Sequence, residues 1–380
     1  MLNQGLTRET PGVHQLVPVI EEEDAIGNYA LTLRNFLREK GFDSRIFVYE
    51  TRPGQEAEVF SYREHRRFSR PDNVLIFHTA IGSPLADYFI GCPDRKLLIH
   101  HNITPARFFT PWDREIAYLA HQARRGLSRM AGVVSSALAD SPFNARELLE
   151  LGYPEPEVIP LIFDWDRLNG PSDESVIQRY RDGRTNLLFV GRVAPNKKQE
   201  DILSAFHYYQ NYFNQNSRLI LVGEDRRFPV YTRALLKRSR DLKLSEVVFT
   251  GKVSREALRS FYRVSSLFLC LSEHEGLGVP LVESLFYRLP VVAFEAGAVG
   301  FTLGSAGILL REKRSFEIAS LIHRILTDRD LRDKILGAQD RRLEYFQQFP
   351  YREKWGQVIR RLLPPAPGPS GEALHQEIPL

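Results

Sequence analysis

An α/β protein built from two parallel-sheet units is the fold class this sequence predicts, and three observations carry that reading. Short apolar runs alternate with amphipathic stretches along nearly the whole chain, the pattern of strands covered on both faces by helices. The chain has 380 residues, the length of two ordinary domains. Asp, Asn, Gly, Pro and Ser concentrate within residues 163–184, which marks a break between two halves with no short repeat period. Apolar residues make up 43% and charged residues 26%, the composition of a water-soluble globular chain.

In the first half, the apolar runs predict strands at residues 13–20, 45–48, 74–77, 97–100, 132–135 and 158–161. Helical spacing predicts helices at 28–40, 84–90, 113–129 and 143–151. The second half repeats the alternation, with strands at 187–190, 219–222, 247–250, 267–271, 291–294 and 308–310. Helices at 199–213, 231–238, 255–262, 280–286 and 316–326 connect them. The chain then stays helical to a last helix at 345–363. Residues 364–380 are rich in Pro and Gly and bury too little apolar surface to order themselves, so a flexible tail is expected. The expected domains are therefore 1–165 and 166–344, each a Rossmann-like unit, followed by the 345–363 helix and the 364–380 tail.

Two strand-ending turns carry the chemistry. The first runs from Leu187 through Gly191, Arg192 and Pro195 to Lys197, just before a helix. An Arg fork binds phosphate oxygens in pairs and Lys acts as a point charge. The second runs from Leu267 through Glu275, Gly276, Leu277 and Gly278 to Pro280 and Glu283. Its glycines permit close backbone approach, and the helix start offers free N–H groups and a positive dipole end to an anion. Pro280 suits a first helical turn, where its missing N–H would be unpaired anyway. Glu275 and Glu283 add acceptors for hydroxyls, so the pair of turns suits a phosphorylated sugar. Singly, each residue reads as a helix-end charge or a solvated loop cation. Jointly, after two apolar strands of one domain, the binding reading prevails.

These two motifs, in this order, closely resemble the retaining GT-B glycosyltransferases of family 4, across most of residues 186–310. The resemblance implies a GT-B fold, with two Rossmann-like domains facing each other across a cleft and the C-terminal helix crossing back to the first domain. It implies that Gly191, Arg192 and Lys197 hold the donor diphosphate with Gly276, Leu277 and Gly278. It further implies that Glu275 contacts the donor sugar and Glu283 the nucleotide ribose. On the acceptor side only Gly27 and Asn28 fit the family's glycine-rich loop, in a segment that opens with Asp24. His100 and His101 end the fourth strand, where the family places a histidine facing the donor sugar. Asn102 follows His101 and favours it over His100, which makes His101 and Glu275 the catalytic candidates. His78, at another strand end, reads as structural. Arg107, Phe108 and Phe109 read equally well as acceptor pocket and as core. Asp164 retains a family position, although the Leu161, Ile162 and Phe163 that precede it depart from the usual polar turn.

The transfer chemistry follows from charge. A departing nucleoside diphosphate gathers negative charge on its leaving oxygen, which Arg192, Lys197 and helix-start N–H groups stabilise. Neither turn carries an Asp-x-Asp motif, so no metal and no cofactor is expected beyond a GDP- or UDP-linked sugar as co-substrate. Cys92 and Cys270 fall in different halves, which excludes a disulfide framework and a Cys-rich metal site and fits core thiols of a reducing compartment.

The net charge is +4, with basic clusters at Arg63, His65, Arg66, Arg67 and Arg70 and at Arg124, Arg125 and Arg129. They read as solvated faces or as contacts with anionic lipid, and no nucleic-acid-binding module accompanies them. No signal segment and no spanning apolar run is evident, so a cytoplasmic protein is expected, with peripheral contact at the inner membrane face. The expected activity is transfer of a hexose to a glycan or lipid-linked acceptor, with retention, in cell-surface polysaccharide synthesis. The competing readings are a non-hydrolysing sugar-nucleotide epimerase, a phosphorylase and a non-catalytic sugar-nucleotide-binding subunit.

Overall fold

The computed structural model describes residues 11–20, 25–50, 59–80 and 82–363. The expected tail at 364–380 and Asp24 of the acceptor loop lie outside them. Strands β1 (Val13–Val19), β2 (Ile46–Glu50), β3 (Phe60–Ser61), β4 (Val74–Thr79), β5 (Arg95–His100), β6 (Ser136–Ala139) and β7 (Glu157–Val158) form one parallel sheet, in the order β3-β2-β1-β4-β5-β6-β7. Strands β8 (Thr185–Val190), β9 (Ser217–Val222), β10 (Val247–Gly251), β11 (Leu267–Cys270), β12 (Val291–Phe294) and β13 (Ile308–Leu310) form a second, in the order β10-β9-β8-β11-β12-β13. Both are doubly wound. Strand order reverses between β1 and β4 in the first sheet and between β8 and β11 in the second, and ligands of such sheets sit beyond the strand ends at those crevices.

The first sheet carries α1 (Ala25–Glu39) on one face and α2 (Leu85–Gly91), α3 (Arg114–Met130) and α4 (Pro142–Glu150) on the other. Local chemistry fixes the helix starts: Asp113 caps α3 by accepting from the Ile116 N–H at 3.0 Å, and Ser141 caps α4 ahead of Pro142. The second sheet is covered by α7 (Gln199–Tyr212), α8 (Pro229–Asp241), α9 (Arg255–Val264), α10 (Val279–Phe286), α11 (Val299–Leu303), α12 (Ser315–Thr327) and α13 (Arg329–Gln347). Its core joins these to buried strand residues such as Leu188, Phe268 and Val292.

Several elements differ from the sequence expectation, which named neither β3 nor α11. The strand expected at 132–135 lies at Ser136–Ala139; Val133 is exposed, and the buried residues are the small Ala137 and Ala139 with Leu138. The polar stretch 163–184 holds two short helices, α5 (Trp165–Leu168) and α6 (Glu174–Tyr180), capped by the side chains of Asp164 and Asp173. Arg259 of α9 donates to Pro171 O at 2.6 Å and Arg167 O at 2.9 Å, which docks this segment on the second domain. The helix expected at 345–363 is interrupted at Pro350, which cannot donate a helical N–H. α13 ends at Gln347, and α14 (Tyr351–Leu362) begins anew.

α14 lies on the first sheet. Trp355 is fully buried beside Tyr29, Arg95 donates to Leu362 O at 2.8 Å, and Tyr351 donates to Leu161 O at 2.8 Å. The chain thus returns to its first domain after building its second.

Candidate functional site

The site is assembled where the ends of β8 and β11 meet the ends of β4, β5 and β6. On the second-domain side, a 3-10 turn at Pro195–Lys197 follows β8, and Lys198 takes a left-handed φ of 55° before α7. This geometry aims Lys197 across the switch point. Its Nζ donates to both Glu275 oxygens at 2.7 Å. Arg192 is exposed, and its guanidinium makes no ion pair among the described residues. Gly278 caps α10 at φ 81°, a conformation that glycine adopts without strain. Glu283, one turn into α10, accepts from the Tyr262 hydroxyl at 2.6 Å. Burial holds its carboxyl above the ordinary range, opposed by that hydrogen bond and by Arg167.

A cavity of about 620 Å³ opens beside this turn, lined by Glu224, Asp225, Arg226, Arg233, Phe249 and Lys252 among others. Backbone contact joins it to the turn after β8, since the Val193 N–H donates to Glu224 O at 2.8 Å. A second cavity of about 270 Å³ lies in the first domain between α2 and α3, walled by residues such as Phe77, Ile103, Leu119 and Met130.

The first domain meets the Glu275–Gly278 loop directly. A Cβ on Gly276 would stand 2.5 Å from Asn102 Cβ and 2.8 Å from His101 O, so only glycine fits this approach. Ser141 donates to Gly276 O at 2.7 Å, and Leu277 inserts into the first domain's core. Asn102 holds a left-handed φ of 87°, and its side chain is clamped at both ends. Its amide donates to Asn144 Oδ1 at 2.9 Å, and its oxygen lies 2.6 Å from His274 Nε2. Burial, with Lys197 close by, lowers His274 to about 3, so its neutral ring donates to Asn102. Beyond this, Phe109 stacks on Phe228 at 5.3 Å and Trp112 packs edge-on to Tyr231 at 4.9 Å. The two domains are in contact along this seam.

Behind the seam runs a buried chain. His101 Nδ1 lies 2.8 Å from Asp140 Oδ2, His101 Nε2 lies 2.9 Å from His78 Nδ1, and His78 Nε2 lies 2.9 Å from Gln15 Oε1. Gln15 donates its own amide to Ala30 O at 3.1 Å, which turns its oxygen to His78. Burial, and then the neighbouring His101, push His78 well below the usual imidazole range.

The structure brings Arg192, Lys197, Glu275, Gly276, Leu277, Gly278 and Glu283 to one end of the second sheet, with Gly191 at the β8 turn. His101 reaches the seam with its carbonyl, while its ring is buried and engaged at both nitrogens. The His100 ring is engaged too, by Thr79 Oγ1 at 3.2 Å and Glu147 Oε2 at 2.8 Å. Gly27 and Asn28 fall in the first turn of α1, with Gly27 buried. His78, read from sequence as a structural residue, is stacked on His101 at 5.1 Å. Asp140, Ser141 and His274 went unnoticed; strand-end position was the available signal for Asp140 and an N-cap pattern for Ser141. Of the basic clusters, His65 is buried, Arg124 donates to Ile103 O at 2.7 Å and pairs with Glu147, and Arg129 pairs with Asp87 at 2.6 Å. Among the described residues no helix is long and apolar enough to cross a membrane.

Residues 173–339 match the family model Glycosyl transferases group 1. The Alpha-D-kanosaminyltransferase of Streptomyces kanamyceticus is 27% identical over 157 residues, 40% of this chain and 39% of that one. The GalNAc-alpha-(1->4)-GalNAc-alpha-(1->3)-diNAcBac-PP-undecaprenol alpha-1,4-N-acetyl-D-galactosaminyltransferase of Campylobacter jejuni is 22% identical over 195 residues, 50% of this chain and 51% of that one. This chain thus spans about half or less of these curated relatives. The crystal structure of Anabaena HepE in complex with UDP-glucose superposes with a TM-score of 0.73 at 15% identity, covering 93% of this chain and 100% of that one. The fold is GT-B, and the glycosyl transferases group 1 match falls on the second domain.

Proposed function

We propose that this chain, with its glycosyl transferases group 1 domain, moves a hexose from a GDP- or UDP-linked donor to a hydroxyl of a glycan or lipid-linked acceptor, with retention of configuration. One observation carries the reading. Two turns far apart in sequence converge so that Lys197 holds both oxygens of Glu275, beside the exposed Arg192 and the start of α10. The chemistry suits a diphosphate lying on Arg192, Lys197 and the N–H groups near Gly276–Gly278, with Glu275 toward the sugar and Glu283 toward the ribose. The 620 Å³ cavity, contiguous with that turn, is suited to the nucleoside.

In the proposed reaction the acceptor oxygen bonds to the anomeric carbon as the bond from that carbon to the diphosphate breaks. The leaving oxygen takes the acceptor's proton on the same face. Arg192 and Lys197 offset the charge that grows there without a metal. On the first-domain side, the His101 carbonyl and the Asn102 amide stand nearest the donor loop, and Gly27 and Asn28 stand toward the acceptor. The mostly apolar 270 Å³ cavity favours an acceptor with an apolar portion, as does the undecaprenol-linked substrate in the Campylobacter relative's name. That is consistent with a role in cell-surface polysaccharide synthesis, with the protein in the cytoplasm and at the inner membrane face. The test is incubation with a panel of nucleotide sugars and lipid-linked or soluble acceptors, followed by nucleoside diphosphate release. Absence of binding and release across the whole panel would overturn the proposal.

A further inference from the structure

We propose that His65, Cys92 and Asp94 form a binding site for a transition-metal ion of the zinc class, in a buried corner of the first domain. Asp94 immediately precedes β5, so the corner lies at the opposite end of that strand from His101 and the interdomain seam. His65 is 0% exposed, Asp94 2% and Cys92 8%. One ligand atom from each lies within 4.8 Å of the others.

The spacing inside the corner suits an ion held between its side chains. His65 Nε2 and Asp94 Oδ1 face each other at 3.6 Å, too long for a hydrogen bond. Neither atom has a hydrogen-bond partner among the described residues, although both are buried. Buried polar atoms are seldom left this way. Zinc–nitrogen and zinc–oxygen bonds of about 2.0–2.2 Å hold neighbouring tetrahedral ligands roughly 3.3–3.6 Å apart, which is the separation seen.

The surroundings fit as well. Tyr88 Oη lies 2.9 Å from His65 Nδ1, leaving Nε2 to face Asp94, as second partners of metal-bound histidines do. Asp94 accepts from Ser69 through its other oxygen, which leaves Oδ1 for the ion. Lys96 Nζ donates to Cys92 O at 2.5 Å and to Asp94 O at 3.4 Å, fixing the Cys92-Pro93-Asp94 turn that presents two of the ligands. His14 stands edge-on to His65 with ring centroids 5.9 Å apart, and its Nδ1 also lacks a partner among the described residues. A carboxylate, a thiolate and an imidazole together are a donor set that zinc takes readily. On binding, the S–H bond of Cys92 breaks, its proton goes to solvent, and sulfur, nitrogen and oxygen each bond to the dication. No oxidation step is involved.

The full chain, expressed with zinc in the medium and desalted, should retain about one equivalent by elemental analysis. Exchange into cobalt should produce a thiolate-to-cobalt charge-transfer absorption, and Cys92→Ser should abolish that band. Asp94→Asn should weaken retention, and a strong chelator should lower the thermal midpoint of the native chain but not of Cys92→Ser. If the native chain holds neither zinc nor cobalt, the corner is a metal-free polar cluster and the proposal fails. Metal held equally well by a Cys92→Ser, Asp94→Asn double variant would place the ion elsewhere and fail it too.

Discussion

The two domains contribute to the seam in different ways. The second domain presents ligand-type residues on turns, and each is written locally: Gly191, Arg192 and Lys197 after one strand, Glu275 to Glu283 after another. The first domain presents mostly backbone and a clamped Asn102, supported from behind by the buried Gln15–His78–His101–Asp140 chain. A turn that must hold a phosphate draws on few residue types at fixed spacing, so it leaves a motif. A buried support can be built from distant positions in many ways, so it leaves almost none.

The largest effect expected tests the second-domain side. Arg192→Ala and Lys197→Ala should each cut transfer by roughly 100-fold or more, through lost stabilisation of the leaving diphosphate. Near-normal turnover in both, with the fold intact, would break the phosphate assignment. Gly276→Ala tests the contact between the two sides. Its new methyl would meet Asn102 Cβ at 2.5 Å, and misplacement of that order costs about 10- to 100-fold in turnover. Adding Asn102→Gly should recover part of the loss; no recovery would mean that the clash acts elsewhere.

Acid should distinguish the domains next. Burial lowers His100 from 6.5 to about 3 and His14 to about 4 and pushes His78 the same way, three first-domain groups against one, His274, among the described residues of the second. Below 6.5 the unfolded chain binds protons that the folded chain refuses, so stability falls with pH down to the folded value. For His100 alone the loss is roughly 2 kcal/mol at about pH 5, seen as a lower urea midpoint than at neutrality. Amide exchange should show the first sheet opening before the second. If the second sheet opened first, the asymmetry drawn from these histidines would be wrong.

A smaller effect concerns Glu283. Its carboxyl is raised by burial, so as pH falls it protonates earlier than an ordinary glutamate. If it accepts a ribose hydroxyl, nucleoside diphosphate affinity should fall several-fold over that range, and calorimetry should show a flatter profile for Glu283→Gln. An unchanged profile would detach Glu283 from the ribose. The smallest expected effect is that of a chelator on turnover at moderate temperature: EDTA should leave it within about two-fold, because Mg²⁺ sites need carboxylates that bridge the ion to phosphate. Loss of turnover restored by Mg²⁺ would overturn metal-free transfer, whereas a lower thermal midpoint with turnover intact would report only on the His65–Cys92–Asp94 corner.

Much of the architecture was legible. The alternation of apolar runs and helical spacing located the principal strands and helices of both sheets, because burial on two faces forces continuous apolar strands. The strand at Ser136–Ala139 was displaced because its core residues are small, while exposed Val133 carried the stronger apolar signal. α5 and α6 were hidden in a stretch whose Asp164 and Asp173 turn out to be helix caps. At the site, Lys197 and Glu275 were named from sequence; that they pair with each other was not. His101 was named for its ring, yet the structure turns its carbonyl to the seam and its ring inward.

By itself the sequence determined what depends on neighbours along the chain: strand and helix periods, the glycine turns, and the cation and carboxylates set just past strand ends. Those choices follow from local backbone sterics and from the burial pattern of each element. Only the tertiary structure decided which separated residues meet. It set Gly276 against Asn102, ran a buried side-chain chain from Gln15 to Asp140, and gathered His65, Cys92 and Asp94 into one corner. Such meetings depend on sheet order and helix docking, which act over long stretches of sequence and leave no local spacing to read.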